Sequence, residues 1–261
     1  MPKALVNGIN LYYEDNGSGF PVIFTHGFAG TTKSWDGQVA AFSKKYRFIT
    51  YDMRGHGQTD APEDLSKYSP DILVEDIYQL LRYLGIQKAI VGGLSLGGYL
   101  TIHFYNQHPD MTAAIIPMDT GPGYRNPEKA KEWNQIRTNC ARVLETQGMK
   151  GFMESEYSKN DYYTTPDVMM KHNPNGLANI NRGAMLNLWG LEILPNIKVP
   201  ALIICGDRDT EFIPATDYMT RKIPGAKKVI VANAGHGVNI DQPQIFESAV
   251  VDFLDSLKLE T

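Results

Sequence analysis

The sequence predicts an α/β protein: a mostly parallel sheet with helices on both faces. Short apolar runs alternate with helix-spaced patterns along most of the chain, which is the signature of βαβ units. The runs themselves are almost continuously apolar, as strands buried on both faces must be. The 261-residue length suits one domain of this class.

The elements follow in order. Residues 9–19 begin with polar/apolar alternation and end in turn residues, predicting an early antiparallel strand. Apolar runs at 21–27 and 46–52 predict the next two strands, the second followed by the turn-rich MRGHGQTD. Residues 71–85 place Ile72, Leu73, Ile77, Leu80, Leu81 and Leu84 at helical spacing, with Gly85 as the stop. A strand at 88–93, a helix at 96–109 and a strand at 112–119 come next. From about Gly121 to Pro195 strand signals disappear. Residues 126–148 read as a capped helix ending at Gly148, and 177–190 as a second one, with Met153, Tyr157, Tyr162, Tyr163, Met169 and Met170 between them. This segment is expected to be a helical insertion, so residues 1–120 and 196–261 form one core into which 121–195 is inserted. Alternation then resumes: strand 199–207, helix 214–225, strand 226–235 and helix 243–258.

Composition excludes several classes. A net charge of −4 without a basic cluster argues against nucleic acid or an anionic membrane as partner. No run is long and apolar enough for a membrane span, and residues 1–6 lack the apolar stretch of a secretory signal. Two cysteines, Cys140 and Cys205, give no disulfide framework and no metal-ligand spacing, so a reduced, cytoplasmic protein without metal is expected. The sequence admits a homodimer.

The chemistry centres on VGGLSLGG. Gly93, Ser95 and Gly97 satisfy G-x-S-x-G between a predicted strand and a predicted helix, the context of a nucleophile elbow. There a sharp turn lifts the hydroxyl above the sheet edge, and bulk two residues either side would clash. A serine needs a base, and in this arrangement the order is Ser, acid, His. His236 follows the last predicted strand, at the sheet edge where ligands bind. His103 and His108 fall in the helix after Ser95 and His172 in the insertion; His26 and His56 are expected to be structural. Asp209, after the penultimate strand, is the expected acid; Asp119, after the strand that follows Ser95, is the alternative. The oxyanion donors are expected to be the backbone N–H groups of Leu96 and Phe28, with Gly27 letting the chain turn.

Taken together, HGFAG (26–30), YDMRGHGQTD (51–60), GLSLGG (93–98), GDRD (206–209) and AGHGVNIDQP (234–243) resemble the α/β-hydrolase superfamily, spread over nearly the whole chain in the family order. The resemblance implies a twisted sheet of about eight strands with the 121–195 segment as the cap. The chain resembles small bacterial carboxylesterases, enol-lactonases and carbon–carbon bond hydrolases of that superfamily. Dehalogenases and epoxide hydrolases of this fold carry Asp at the elbow, so Ser95 favours acyl transfer; cofactor-free haloperoxidases share the serine. The implied reaction is hydrolysis of a small, largely apolar ester or lactone through an acyl-enzyme on Ser95, without cofactor. Trp133, Trp189 and Val238 are the expected pocket residues, the alternative for both tryptophans being packing of the cap on the sheet. A binding protein of the same fold is the non-enzymatic alternative.

Overall fold

The computed structural model describes residues 2–159 and 164–259. Eight strands are present among them: β1 (Lys3–Val6), β2 (Ile9–Asn16), β3 (Phe20–Thr25), β4 (Tyr46–Tyr51), β5 (Ala89–Leu94), β6 (Thr112–Met118), β7 (Leu202–Gly206) and β8 (Lys227–Val231). They form one sheet in the order β1-β2-β4-β3-β5-β6-β7-β8, in which β1–β2 and β2–β4 are antiparallel and the other pairs parallel. The helices are α1 (Asp36–Phe42), α2 (Pro70–Tyr83), α3 (Leu96–Gln107), α4 (Pro127–Glu154), α5 (Pro166–Met169), α6 (Pro174–Ala184), α7 (Ile213–Lys222), α8 (Val238–Asp241) and α9 (Pro243–Asp255).

Period-2 alternation inside the apolar strands divides the core. Ile23, Ile49 and Val91 point to the face packed by α2 and α3, whereas Val22, Phe24, Phe48 and Ile90 point to the face that receives Phe42 of α1 and Phe246 of α9. Further along, Ile115 and Ile203 meet Ile102 of α3 and Met219 of α7. Both faces are therefore covered, and each fully buried aliphatic or aromatic side chain contributes roughly 1.5–3 kcal/mol.

Caps fix where the helices begin. Ser69 accepts from the Ile72 N–H at α2, Asn126 from Glu128 and Lys129 at α4, and Asn173 from Asn175 and Gly176 at α6, each followed by Pro at the first helical position. All elements between β6 and β7 are helical among the described residues. Two expectations are corrected. Gly148 does not end its helix: its φ of 63° makes a kink, and helix resumes to Glu154. The helix expected at 177–190 starts earlier, at Pro174, and ends at Ala184. Strand β1 and helices α1, α5 and α8 carry too little periodicity to be read from sequence, being four to seven residues long. Tyr162 and Tyr163 lie outside the described residues. No helix among the described residues is long and apolar enough to cross a membrane.

Candidate active site

Ser95 lies between β5 and α3 with φ 54° and ψ −113°, a conformation L-residues rarely adopt. The turn closes because its flanks are glycine: a Cβ on Gly93 would overlap the Gly97 carbonyl group, and one on Gly97 would overlap the Thr25 carbonyl. Neighbouring strands hold it further. The Ser95 N–H donates to the Met118 carbonyl at 2.8 Å, and the Thr120 hydroxyl donates to the Ser95 carbonyl at 2.7 Å. Thr120 was not singled out in the sequence, because a lone threonine after a strand carries no signal. Leu96 is the first residue of α3, so its N–H has no acceptor within the helix and lies directly after the serine.

His236 and Asp209 come from the loops after β8 and β7. His236 Nδ1 lies 2.8 Å from Asp209 Oδ2, and both side chains are largely buried. The carboxylate can only accept, so Nδ1 carries the proton and Nε2 of the neutral ring is left as the basic nitrogen. The ring stacks on Phe212 at 5.1 Å between centroids. Ser95, His236 and Phe28 line one cavity of about 340 Å³, and Ser95 also lines an adjoining one of about 540 Å³ with Leu96, Thr120 and Tyr124.

Asp119, the alternative acid, is fully buried and has φ 43°. Its Oδ1 accepts the Gly206 N–H at 2.9 Å, whereas Oδ2 has no hydrogen-bond partner among the described residues. Burial pushes its carboxyl well above the usual range, against the pull of His236 and the Gly206 N–H. Donor atoms of Asp119, Cys205 and Asp209 lie within 4.8 Å of one another. They fit a metal poorly: burial pushes the Cys205 thiol and the Asp119 carboxyl up, which disfavours their anionic ligand forms, and Asp209 is engaged by His236.

Three histidines shape the loop that carries Phe28. The Met53 N–H donates to His26 Nε2 at 3.0 Å, so Nδ1 bears the proton and donates to the Gly27 carbonyl at 2.7 Å. The Ala29 N–H donates to His56 Nε2 at 3.2 Å, and His56 Nδ1 donates to the Arg54 carbonyl. His172, near the start of α6, accepts from the Gly57 N–H and donates to the Ala29 carbonyl. Burial drives His26 down to about 3, His172 to about 4, and His56 well below its ordinary value, so all three are neutral. Between them they hold Ala29 at φ 57°, the residue after Phe28. The expected structural roles of His26 and His56 agree with these bonds; the part played by His172 was not legible, because its partners are remote in sequence.

The expected pocket residues separate. Trp133 lines both cavities and donates its Nε1–H to the Met185 carbonyl at 2.6 Å. Trp189 lines neither: the residue is 48% exposed, its indole packs edge-on against His103, and its carbonyl accepts from Tyr99. Val238 also lines neither, being fully buried in the cluster that contains Trp35 and Phe246. Sequence periodicity cannot distinguish a wall from a core, which explains both corrections. Arg137, which sequence reading passed over, does line the cavity with Ser95 and His236.

Comparison with known proteins agrees with this architecture. The profile of the alpha/beta hydrolase fold matches residues 21–243. A putative 2-succinyl-6-hydroxy-2,4-cyclohexadiene-1-carboxylate synthase of Bacillus subtilis is 28% identical, over 90% of this chain and 90% of its own length. The solved enol-lactonase of Burkholderia xenovorans superposes with a TM-score of 0.84 at 29% identity, covering 98% of this chain and 100% of its own. A thermophilic esterase from Thermogutta terrifontis superposes with a TM-score of 0.82 at 26% identity, covering 95% and 93%. The chain belongs to the α/β-hydrolase family.

Proposed function

We propose that the protein hydrolyses carboxylic esters of small substrates through an acyl-enzyme on Ser95. The observation that carries this reading is a serine held at positive φ in a cavity shared with a histidine whose other nitrogen is bound to a buried carboxylate. In this reading His236 Nε2 takes the Ser95 proton as the oxygen attacks the carbonyl. The oxyanion rests on the N–H groups of Leu96 and Phe28, and one such donor is worth about 3 kcal/mol. His236 then protonates the leaving alcohol, and water repeats the cycle on the acyl-enzyme. Asp209 keeps the imidazole in the reactive tautomer and stabilises its protonated form. The helical segment 121–195 acts as the cap, and Trp133 contributes to the wall.

Ring opening of an enol-lactone by the same groups is the second reading. It is favoured by the enol-lactonase of B. xenovorans, which matches over its whole length.

A fluorophosphonate probe tests the serine. Intact-protein mass spectrometry is expected to show one adduct on the wild type and none on Ser95→Ala, and p-nitrophenyl ester turnover should vanish in that variant with its circular dichroism unchanged. Labelling of Ser95→Ala at the wild-type rate sinks the reading. Comparing aryl esters with an enol-lactone then separates the two reactions.

A further inference from the structure

Among the described residues Arg137 has no ion-pair partner. It sits in the middle of α4, half-buried, and its Nε is fully buried without a hydrogen-bond partner among those residues. Its guanidinium lies 4.6 Å from the ring of Trp133, four residues earlier on the same helix face, and 6.0 Å from the ring of Phe28. Among the described residues no carboxylate comes within 4.0 Å of it, although eight other cation–acid pairs involving lysine or arginine form elsewhere. The same cavity is lined by Ser95, His236 and Phe28.

A cation on a cavity wall with no carboxylate in reach favours an anionic ligand, because charge-assisted hydrogen bonds to a guanidinium are strong. We infer that Arg137 binds a carboxylate carried on the acyl part of the substrate, so that the preferred ester is the monoester of a short dicarboxylic acid. This rests on the ester-hydrolase reading and names its substrate class. The guanidinium is planar, it lies within 4.6 Å of the Trp133 ring and 6.0 Å of the Phe28 ring, and its N–H donors suit a carboxylate in two parallel hydrogen bonds. Charge fits one negative charge and not two. Lys129, the other cation lining the neighbouring cavity, is exposed and pairs with Glu132 at 2.8 Å. The acids that line the cavities, Glu132, Glu156 and Glu211, are exposed and therefore solvated, so they repel such a substrate weakly.

The test compares p-nitrophenyl monoesters of succinate, glutarate and adipate with the neutral butyrate, pentanoate and hexanoate esters of equal chain length. The wild type should favour the carboxylate member of at least one pair by about 10-fold or more in kcat/KM. Arg137→Met should lower that ratio about 10- to 100-fold, mainly through KM, and Arg137→Lys should recover part of it. Calorimetry of ethyl hydrogen glutarate on Ser95→Ala, with and without Arg137→Met, reads recognition without turnover. If wild type turns over neither series yet binds this monoester through Arg137, the carboxylate site stands and the esterase reading falls. An equal loss on both series, or no preference at any chain length together with monoester binding that ignores Arg137→Met, overturns the inference.

Discussion

His172 Nε2 donates to the Ala29 carbonyl at 2.9 Å, across 143 residues of sequence. Its Nδ1 accepts from the Gly57 N–H at 3.0 Å, so one ring joins the segment between β6 and β7 to both loops that frame Phe28. The helical segment between β6 and β7 and the loop that carries Phe28 are thus tied together by a common side chain.

A pH dependence follows from that ring. Burial holds His172 at about 4 in the fold, against an ordinary value of 6.5. As pH falls below 6.5 the unfolded chain takes up a proton that the folded chain refuses, so stability is lost on acidification and is fully present above that value. Glutamine at this position does not titrate. The stability difference between wild type and His172→Gln should therefore shift against the wild type by about 1.4 kcal/mol per pH unit between the two values, and be constant at higher pH. Urea unfolding of both proteins at several pH values measures this. Comparing the two removes the opposite effect of Asp52, whose carboxyl burial raises to about 6 and which takes up protons in the fold as pH falls. Parallel curves for the two proteins would contradict a neutral, buried His172.

Ser95 stores backbone strain. Its φ of 54° suits glycine, and a non-glycine residue there costs about 1–3 kcal/mol. Ser95→Gly should be more stable than Ser95→Ala by about 1 kcal/mol, because alanine keeps the Cβ and glycine releases it at some entropic expense. Both should be inactive. Chemical denaturation of the two variants decides, and equal stabilities would mean that the turn relaxes at no cost.

The two buried acids near His236 should behave differently. Asp209 bonds the imidazole directly, so Asp209→Asn should lower kcat by about 10³- to 10⁴-fold through the wrong tautomer. Burial pushes the Asp119 carboxyl up, and its Oδ1 accepts the Gly206 N–H, a bond that an asparagine oxygen supplies equally well. Asp119→Asn should keep kcat within about 10-fold of wild type. The reverse ranking in steady-state assays would exchange the roles of the two residues.

The parts of this arrangement that the sequence disclosed are those carried by local pattern. The strand–Gly-x-Ser-x-Gly–helix run announces the elbow, because the sterics that demand glycine at 93 and 97 act within five residues. His236 and Asp209 are placed by their position after strands, and the order of elements alone puts them at one sheet edge. What stayed hidden depends on contacts made through space. His172 reaches Ala29 and Gly57 only after the chain has folded over itself, and Val238 and Trp189 differ from Trp133 only in which way their helix or loop faces. Arg137 had one local clue, its i, i+4 spacing from Trp133, but that pair is equally common on solvated helix faces.

Arg54 and Asp76 show how the site is anchored from below. Arg54 Nε and Nη2 donate to the two carboxylate oxygens of Asp76 at 2.9 and 2.6 Å, and both side chains are almost fully buried. Asn7 completes the cluster, donating to Asp76 Oδ1 at 2.8 Å and accepting from Arg54 Nη2 through its carbonyl. Arg54 belongs to the loop after β4 that also supplies His56, the acceptor for the Ala29 N–H. Burial pushes the Asp76 carboxyl up, and Arg54 with Asn7 pulls it back. Arg54→Met removes that pull and leaves an unpaired acid in the core, which should cost about 3–5 kcal/mol at neutral pH. The acid can escape the penalty by taking a proton, so its folded value rises further above the unfolded one. Stability is then lost as pH rises through that window and regained as it falls, and the gap to wild type should narrow between pH 7 and 5 in urea titrations. The double variant Arg54→Met with Asp76→Leu should recover most of the loss, since no charge remains to be solvated. A single variant whose deficit is the same at both pH values would mean that packing, not the stranded carboxylate, sets the cost.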